Sequence, residues 1–404
     1  ERDQDVPDEP ERPVQEPVTP PSTRPNGPEP ARSINDAVPI RTTAELIDAL
    51  RRPTTKGGTI RLAADADLIL PPCEVPGLGS WIIQADSEKD RTRPKIRFRP
   101  GDDLTTASGR TALFRLRAGS LELRGIDIVL PEDEAPPRGR WAAFAVWAGA
   151  DLNLTRCTVT VEGDQAQSAL VIVQADDDEI ESGLAHPDSA AALVRATDCL
   201  LRAGGDLVDV AAGRRLDLEL ENTVIATGGS LVHGHGLARG QVAELLKLVM
   251  RRVSARNGGG LVRLESEPGE PELPMADVVA RESIVATTPD GGPLFLVDEQ
   301  ESNDPPRDRV RWQGHGVTYH RISTYRLDQS AQPGSMPARF DRPAWEVAVG
   351  PREVDPVHND ARFLDEWNPA RSIWSLSAED VRLAADSPAS GPDLTLIPEP
   401  PRPE

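Results

Sequence analysis

Residues 113–128 read LFRLRAGSLELRGIDI, two short apolar-alternating patterns separated by a Gly-Ser turn. The first half, LFRLR at Leu113, returns as AFAVW at Ala143, LVIVQ at Leu170, LVDVA at Leu207, LVHGH at Leu231, LVRLE at Leu261 and LFLVD at Leu294. The second half, LELRGIDI at Leu121, returns as LNLTRCTV at Leu152, VRATDCLL at Val194, LELENTVI at Leu218, LVMRRVSA at Leu248, VVARESIV at Val278 and VRWQGHGV at Val310. The two alternate without a gap, so the chain passes repeatedly through one supersecondary unit.

Period-two alternation over a few residues, closed by Gly, Asn, Asp or Pro, marks strands and not helical turns. A unit of roughly thirty residues cannot bury its apolar face alone and must stack on its neighbours. The expected fold is all-β, a right-handed parallel β-helix solenoid. Leu123, Leu154, Ala196, Leu220, Met250, Ala280 and Trp312 are expected to stack inside it, because a one-residue slip would turn each of them outward. Helical solenoids lack support, since no leucine-rich or tetratricopeptide signature occurs.

Three regions follow along the chain. Residues 1–40, with Asp8-Glu9-Pro10-Glu11-Arg12-Pro13 and Pro20-Pro21, hold too little apolar surface to fold and read as a disordered, proline-rich acidic spacer. Residues 41–322 form the β-helix. It opens with an amphipathic helix from Thr43 to Leu50, N-capped by Thr42 or Thr43 and ended by Pro53 and Gly57-Gly58, which caps the solenoid and blocks edge pairing. In residues 323–404 the repeat stops, and Trp345, Phe363, Trp367 and Trp374 stand among prolines and charges as an irregular C-terminal wrap. The sequence starts at Glu1 without Met and reads as a processed or excised piece, so a membrane tether is expected only upstream.

A net charge of −21 argues against nucleic acid or an anionic membrane surface as a partner, because a phosphate binder needs a basic stripe. Cys73, Cys157 and Cys199 have no metal-ligand spacing; Cys157 and Cys199 occupy the same place in consecutive units and read as stacked buried thiols, with a disulfide as the alternative. No nucleophile elbow, phosphate loop or HExxH metal motif occurs, and no cofactor is implied apart from calcium at the acidic run Asp176-Asp177-Asp178-Glu179 with Glu181, which reads as a solvated loop.

Chemistry belongs on the outside of such a coil. In the LFRLR-type pattern places three and five point out, lining up Arg115, Ala145, Ile172, Asp209, His233, Arg263 and Leu296 in one column. The other column holds Arg117, Trp147, Gln174, Ala211, His235, Glu265 and Asp298. Asp209, His233, His235, Arg263, Glu265 and Asp298 fall on neighbouring coils. Carboxylates beside imidazole and guanidinium can do acid and base work or clamp a uronate, while a solvated, charge-paired surface explains the same residues without a substrate. Asp209, His235 and Arg263 are the catalytic candidates. Trp147 with the six polar residues forms the expected ligand-binding set, facing solvent, and no metal site is expected.

Gly234-His235-Gly236 followed by Arg263-Leu264-Glu265 resembles the GHG and R-x-K elements of the polygalacturonase family, which implies inverting hydrolysis by paired aspartates. The departures are Ala211, Ile172 and Gln174 where that family needs acids, with Glu265 in place of its Lys. The pectate lyase resemblance lacks the aspartate column of a calcium site. The stretches AELIDALRR, GGTIRLA, SLELRGIDIVL, DLNLTRCTVTV and VRLAADSPASGPDL are similar to β-helix regions attached to planctomycete serine/threonine protein kinases and surface proteins. That resemblance implies an extracytoplasmic, non-catalytic module for a polysaccharide or a cell-surface protein, or a rigid scaffold. The alternative is a polysaccharide-active enzyme with its site around His235.

Overall fold

Each LELRGIDI-type pattern is two strands and not one. A single residue between them takes the left-handed conformation, as at Gly125 (φ 66°), Arg156 (53°), Asp198 (56°), Asn222 (46°), Arg252 (53°), Glu282 (48°) and Gly316 (61°). That residue turns the chain through a corner, and its N–H donates to a carbonyl of the next coil, Asn222 to Arg251 and Arg252 to Arg281 among them. The corner therefore keeps its backbone paired while changing direction.

A computed structural model describes residues 38–51, 57–77, 79–86, 92–100, 110–134, 139–163, 168–174, 190–237, 245–266, 272–287, 292–299, 309–330, 336–358, 361–363 and 373–400. The acidic run at 176–181, Trp367 and residues 1–37 of the spacer lie outside them. Three ten-stranded sheets form the walls of a right-handed parallel β-helix. The first runs from Gly57–Leu62 to Glu353–Val354, the second from Asp67–Leu70 to Val357–His358, and the third from Cys73–Glu74 to Arg326–Ser330. The third ends in Ala338–Phe340, antiparallel to Arg326–Ser330. The coils thus continue beyond Ile322, where the sequence repeat fades.

Inside the first sheet, Leu123, Leu154, Ala196, Leu220, Met250 and Ala280 stack in register as expected. The last member differs. Gly314 pairs with Ala280, and Trp312 pairs with Val278 two residues earlier. A slip of two keeps the indole inside. The strand opening at Val310 reaches its corner at Gly316, two residues later than the strand opening at Val278 reaches Glu282, and the indole covers the space a Cβ at Gly314 would use, 2.9 Å from Trp312 Nε1. Cys157 and Cys199 are free, fully buried thiols at one corner, where Cys157 N–H meets Cys199 Sγ at 3.4 Å.

Both ends are closed. Helix α1 (Thr43–Arg51) buries Leu46, Ala49 and Leu50 on the first coil. Its capping box settles Thr42 as the cap: Thr42 Oγ1 accepts from Glu45 N–H at 3.3 Å, and Glu45 accepts from Thr42 N–H at 3.0 Å. Helix α2 (Arg342–Val349), absent from the sequence expectation, starts at Asp341, whose carboxylate accepts from Ala344 N–H at 3.1 Å, and has a proline in its first turn. It drops Trp345 onto Phe295 and Tyr325, with ring centroids 5.2 and 5.9 Å away. The tail then lies along the second sheet, burying Ala378, Val381 and Ile397 against Leu200 and Val224. No helix among the described residues is long and apolar enough to cross a membrane.

Candidate functional site

The third sheet carries the predicted columns on its outer face. Ile172 pairs with Ala145 and Asp209, Asp209 with His233, His233 with Arg263, and Arg263 with Leu296. In the second column Trp147 pairs with Gln174, and His235 pairs with Glu265, which pairs with Asp298. Alternation along LVDVA, LVHGH and LVRLE therefore delivers these side chains to one side. Gly234, between the two histidines, points inward, where a Cβ would sit 2.6 Å from Leu246. Packing thus accounts for Gly234, the first glycine of the Gly234-His235-Gly236 tripeptide.

The face is not open to solvent, and this corrects the sequence expectation. Asp209 is 0% exposed and His233 7%. On the two coils before Asp209, Ala142, Ala145, Trp147, Ala169 and Ile172 form a buried apolar cluster with Ala112, separate from the main core. Trp147, expected as an exposed platform, is 8% exposed and lies beneath Arg117, whose guanidinium carbon is 5.0 Å from the ring centre. Arg263, Glu265 and Asp298 remain partly accessible.

Six of the expected residues come together on these coils, while Trp147 stays with the apolar cluster. His235 Nε2 donates to Asp209 Oδ1 at 2.8 Å, and Arg140 Nη1 reaches the same oxygen at 2.8 Å. Arg110 stands 3.9 Å from Asp209 Oδ2, which has no hydrogen-bond partner among the described residues. His233 donates from Nδ1 to Asp206 and from Nε2 to Glu265, both at 3.1 Å, and Arg263 meets Glu265 at 2.7 Å. The two imidazoles lie 4.3 Å apart. Asp298 is next to Glu265 in register.

Asp206, Arg140 and Arg110 were missed in the sequence because they open their strands, ahead of the five-residue pattern. Asp206 also accepts from Ser230 N–H at 2.7 Å, and Arg140 bridges it to Asp209. The register Arg110↔Arg140 is the signal that could have found the two arginines.

The electrostatics follow from these contacts. Burial opposes charge on Asp209, but the His235 hydrogen bond and the Arg140 and Arg110 guanidiniums outweigh it and hold the carboxyl far below the usual range. Burial likewise opposes the His233 imidazolium, yet the bonds to Asp206 and Glu265 push it up to about 9. Glu265 is lowered chiefly by His233, with Arg263 assisting. Asp298 is raised by its own burial and by the charge of Glu265.

Asp209, His233 and His235 offer ligand atoms within 4.8 Å of one another, close enough to surround a metal ion. A cation there would compete with Arg140 on Asp209 and with the protons that both His233 nitrogens donate to carboxylates. The donor set suits a proton-and-guanidinium network better than a metal centre. No family model, curated protein or solved structure gives a significant match to the chain.

Proposed function

We propose that this chain is a non-catalytic β-helix module that holds a glycan or a protein surface against its outer face, with Arg263, Glu265 and Asp298 as the accessible contacts. One observation carries the reading. The groups that would act as acid and base are consumed by each other: Asp209 is buried beneath Arg140 and His235, and both nitrogens of His233 are engaged by carboxylates. A general base must be reachable by substrate and able to exchange its proton near neutrality. The partly exposed Arg263 retains the planar fork that recognises carboxylates. The resemblance to planctomycete β-helix regions supports an extracytoplasmic place in a larger, membrane-tethered protein.

A second reading, a polysaccharide-active enzyme of polygalacturonase-like type, draws on Asp209 Oδ2, which has no hydrogen-bond partner among the described residues. Retention of the full chain on immobilised polysaccharides, compared between wild type and Arg263→Ala, tests the first reading, together with assay of reducing ends and unsaturated products. Retention weakened by Arg263→Ala without product release supports the module. Turnover that disappears in His235→Ala overturns it in favour of the enzyme.

A further inference from the structure

Away from the third sheet, a pocket of about 410 Å³ opens at the corner between the first and second sheets, lined by Glu221, Arg251, Arg252, Arg281, Glu282 and His315. Its walls come directly from the repeat. Glu221, Arg251, Arg281 and His315 end their first-sheet strands and pair in register on four successive coils. Arg252 and Glu282 are the left-handed corner residues that follow. Adjacent strands lie about 4.8 Å apart, so Arg251 and Arg281 stand side by side.

Like charges directly opposite on neighbouring strands repel. Arg252 is offset by Glu221 at 3.4 Å and by the nearby Asp393. The side-chain guanidiniums of Arg251 and Arg281 have no ion-pair or hydrogen-bond partner among the described residues. In a chain carrying a net −21, the pocket lining sets three guanidiniums against the two carboxylates of Glu221 and Glu282, a local excess of positive charge. A planar or tetrahedral oxyanion bridging two such forks is the chemistry that relieves the repulsion.

The pocket is larger than a bare ion needs and falls within the range of small-molecule sites. Glu221 and Glu282 add acceptors beside the cations, an arrangement that suits hydroxyl donors next to the anionic group. We propose that this corner pocket binds an acidic sugar, its carboxylate or sulfate held between Arg251 and Arg281 and its hydroxyls directed at Glu221 and Glu282. The site shares a ligand class with the proposed function but none of its residues.

Calorimetric titration of the full chain tests this with trigalacturonate, glucose 6-sulfate, inorganic sulfate and neutral maltotriose as probes. The Arg251→Ala/Arg281→Ala double variant and Arg263→Ala are compared with wild type, each checked for its β-sheet circular dichroism. At least one anionic sugar is expected to bind, with a component of that binding weakened at least tenfold in the double variant, while any component at the third sheet is the one removed by Arg263→Ala; maltotriose does not bind at the pocket. Binding of neither anionic sugar, or equal binding by the double variant, overturns the inference. Inorganic sulfate binding as tightly as the sugars overturns the sugar assignment. Binding lost in Arg263→Ala and kept in the double variant overturns this pocket while leaving the third-sheet reading intact.

Discussion

Asp209 and His235 are joined diagonally across neighbouring coils, Oδ1 to Nε2 at 2.8 Å, with the carboxylate fully buried. Asp209 is directly opposite His233, so this bond crosses from one outward column to the other. Its effect is to tie two coils through a charge that water cannot reach. A buried carboxylate survives only with such partners, and Arg140 supplies the remaining compensation.

The pH dependence of stability is expected to show the His233 bonds. The folded-state value of about 9 lies above the ordinary 6.5 of the group. The native state therefore holds the proton more tightly, and the stabilisation is full below the ordinary value and lost as pH rises through about 9. The unfolding free energy of the wild type should fall across that window by about 3 kcal/mol, and His233→Gln should flatten the fall. Parallel pH profiles for the two proteins would contradict the assignment.

Gly228 sits where the corner between the second and third sheets comes closest to the next coil. A Cβ there would lie 2.0 Å from the Gly204 carbonyl oxygen, and backbone cannot yield that distance. Gly228→Ala should cost about 2–4 kcal/mol. At Gly350, where φ is 52° and nothing lies within 4 Å, Ala should cost about 1 kcal/mol from backbone strain alone. Denaturant unfolding of the two variants checks the ranking, and the reverse order would refute it.

The tail is held by one buried cation. Arg202 donates to Thr160 Oγ1 at 2.7 Å and to the Leu376 carbonyl at 2.9 Å, with a further bond to the Trp374 carbonyl. Asn222 secures it farther on through the Asp393 backbone. Arg202→Ala should loosen the segment by about 2 kcal/mol. Limited proteolysis should then cut within residues 376–400 faster than in wild type while the coils stay protected; unchanged cleavage would mean that the apolar contacts suffice.

Much of this was legible from short patterns. Alternation in LVDVA, LVHGH and LVRLE placed Asp209, His233, His235, Arg263 and Glu265 on one face, because the period of two leaves no other choice. Burial of that face was not legible: outward in a strand means away from the coil interior, not into water. The corner hidden inside LELRGIDI escaped because residues such as Arg156 and Glu282 adopt positive φ without being glycine. Arg251 and Arg281 were missed for the same reason, since they precede that corner. The two-residue slip at Trp312 follows from where the corner falls, at Gly316, which an apolar pattern does not record.

The central claim is that the outer-face acids and imidazoles serve structure and not turnover, and the unfolding free energy of Asp209→Asn tests it most directly. Catalytic groups are often held at a cost to stability, so neutralising one tends to leave a protein as stable or more so. A carboxylate that compensates Arg140 and His235 inside the protein behaves in the opposite way. Asp209→Asn is expected to unfold with a loss of about 3 kcal/mol near neutral pH. An unchanged or raised stability would contradict the account and return Asp209 to the catalytic candidates.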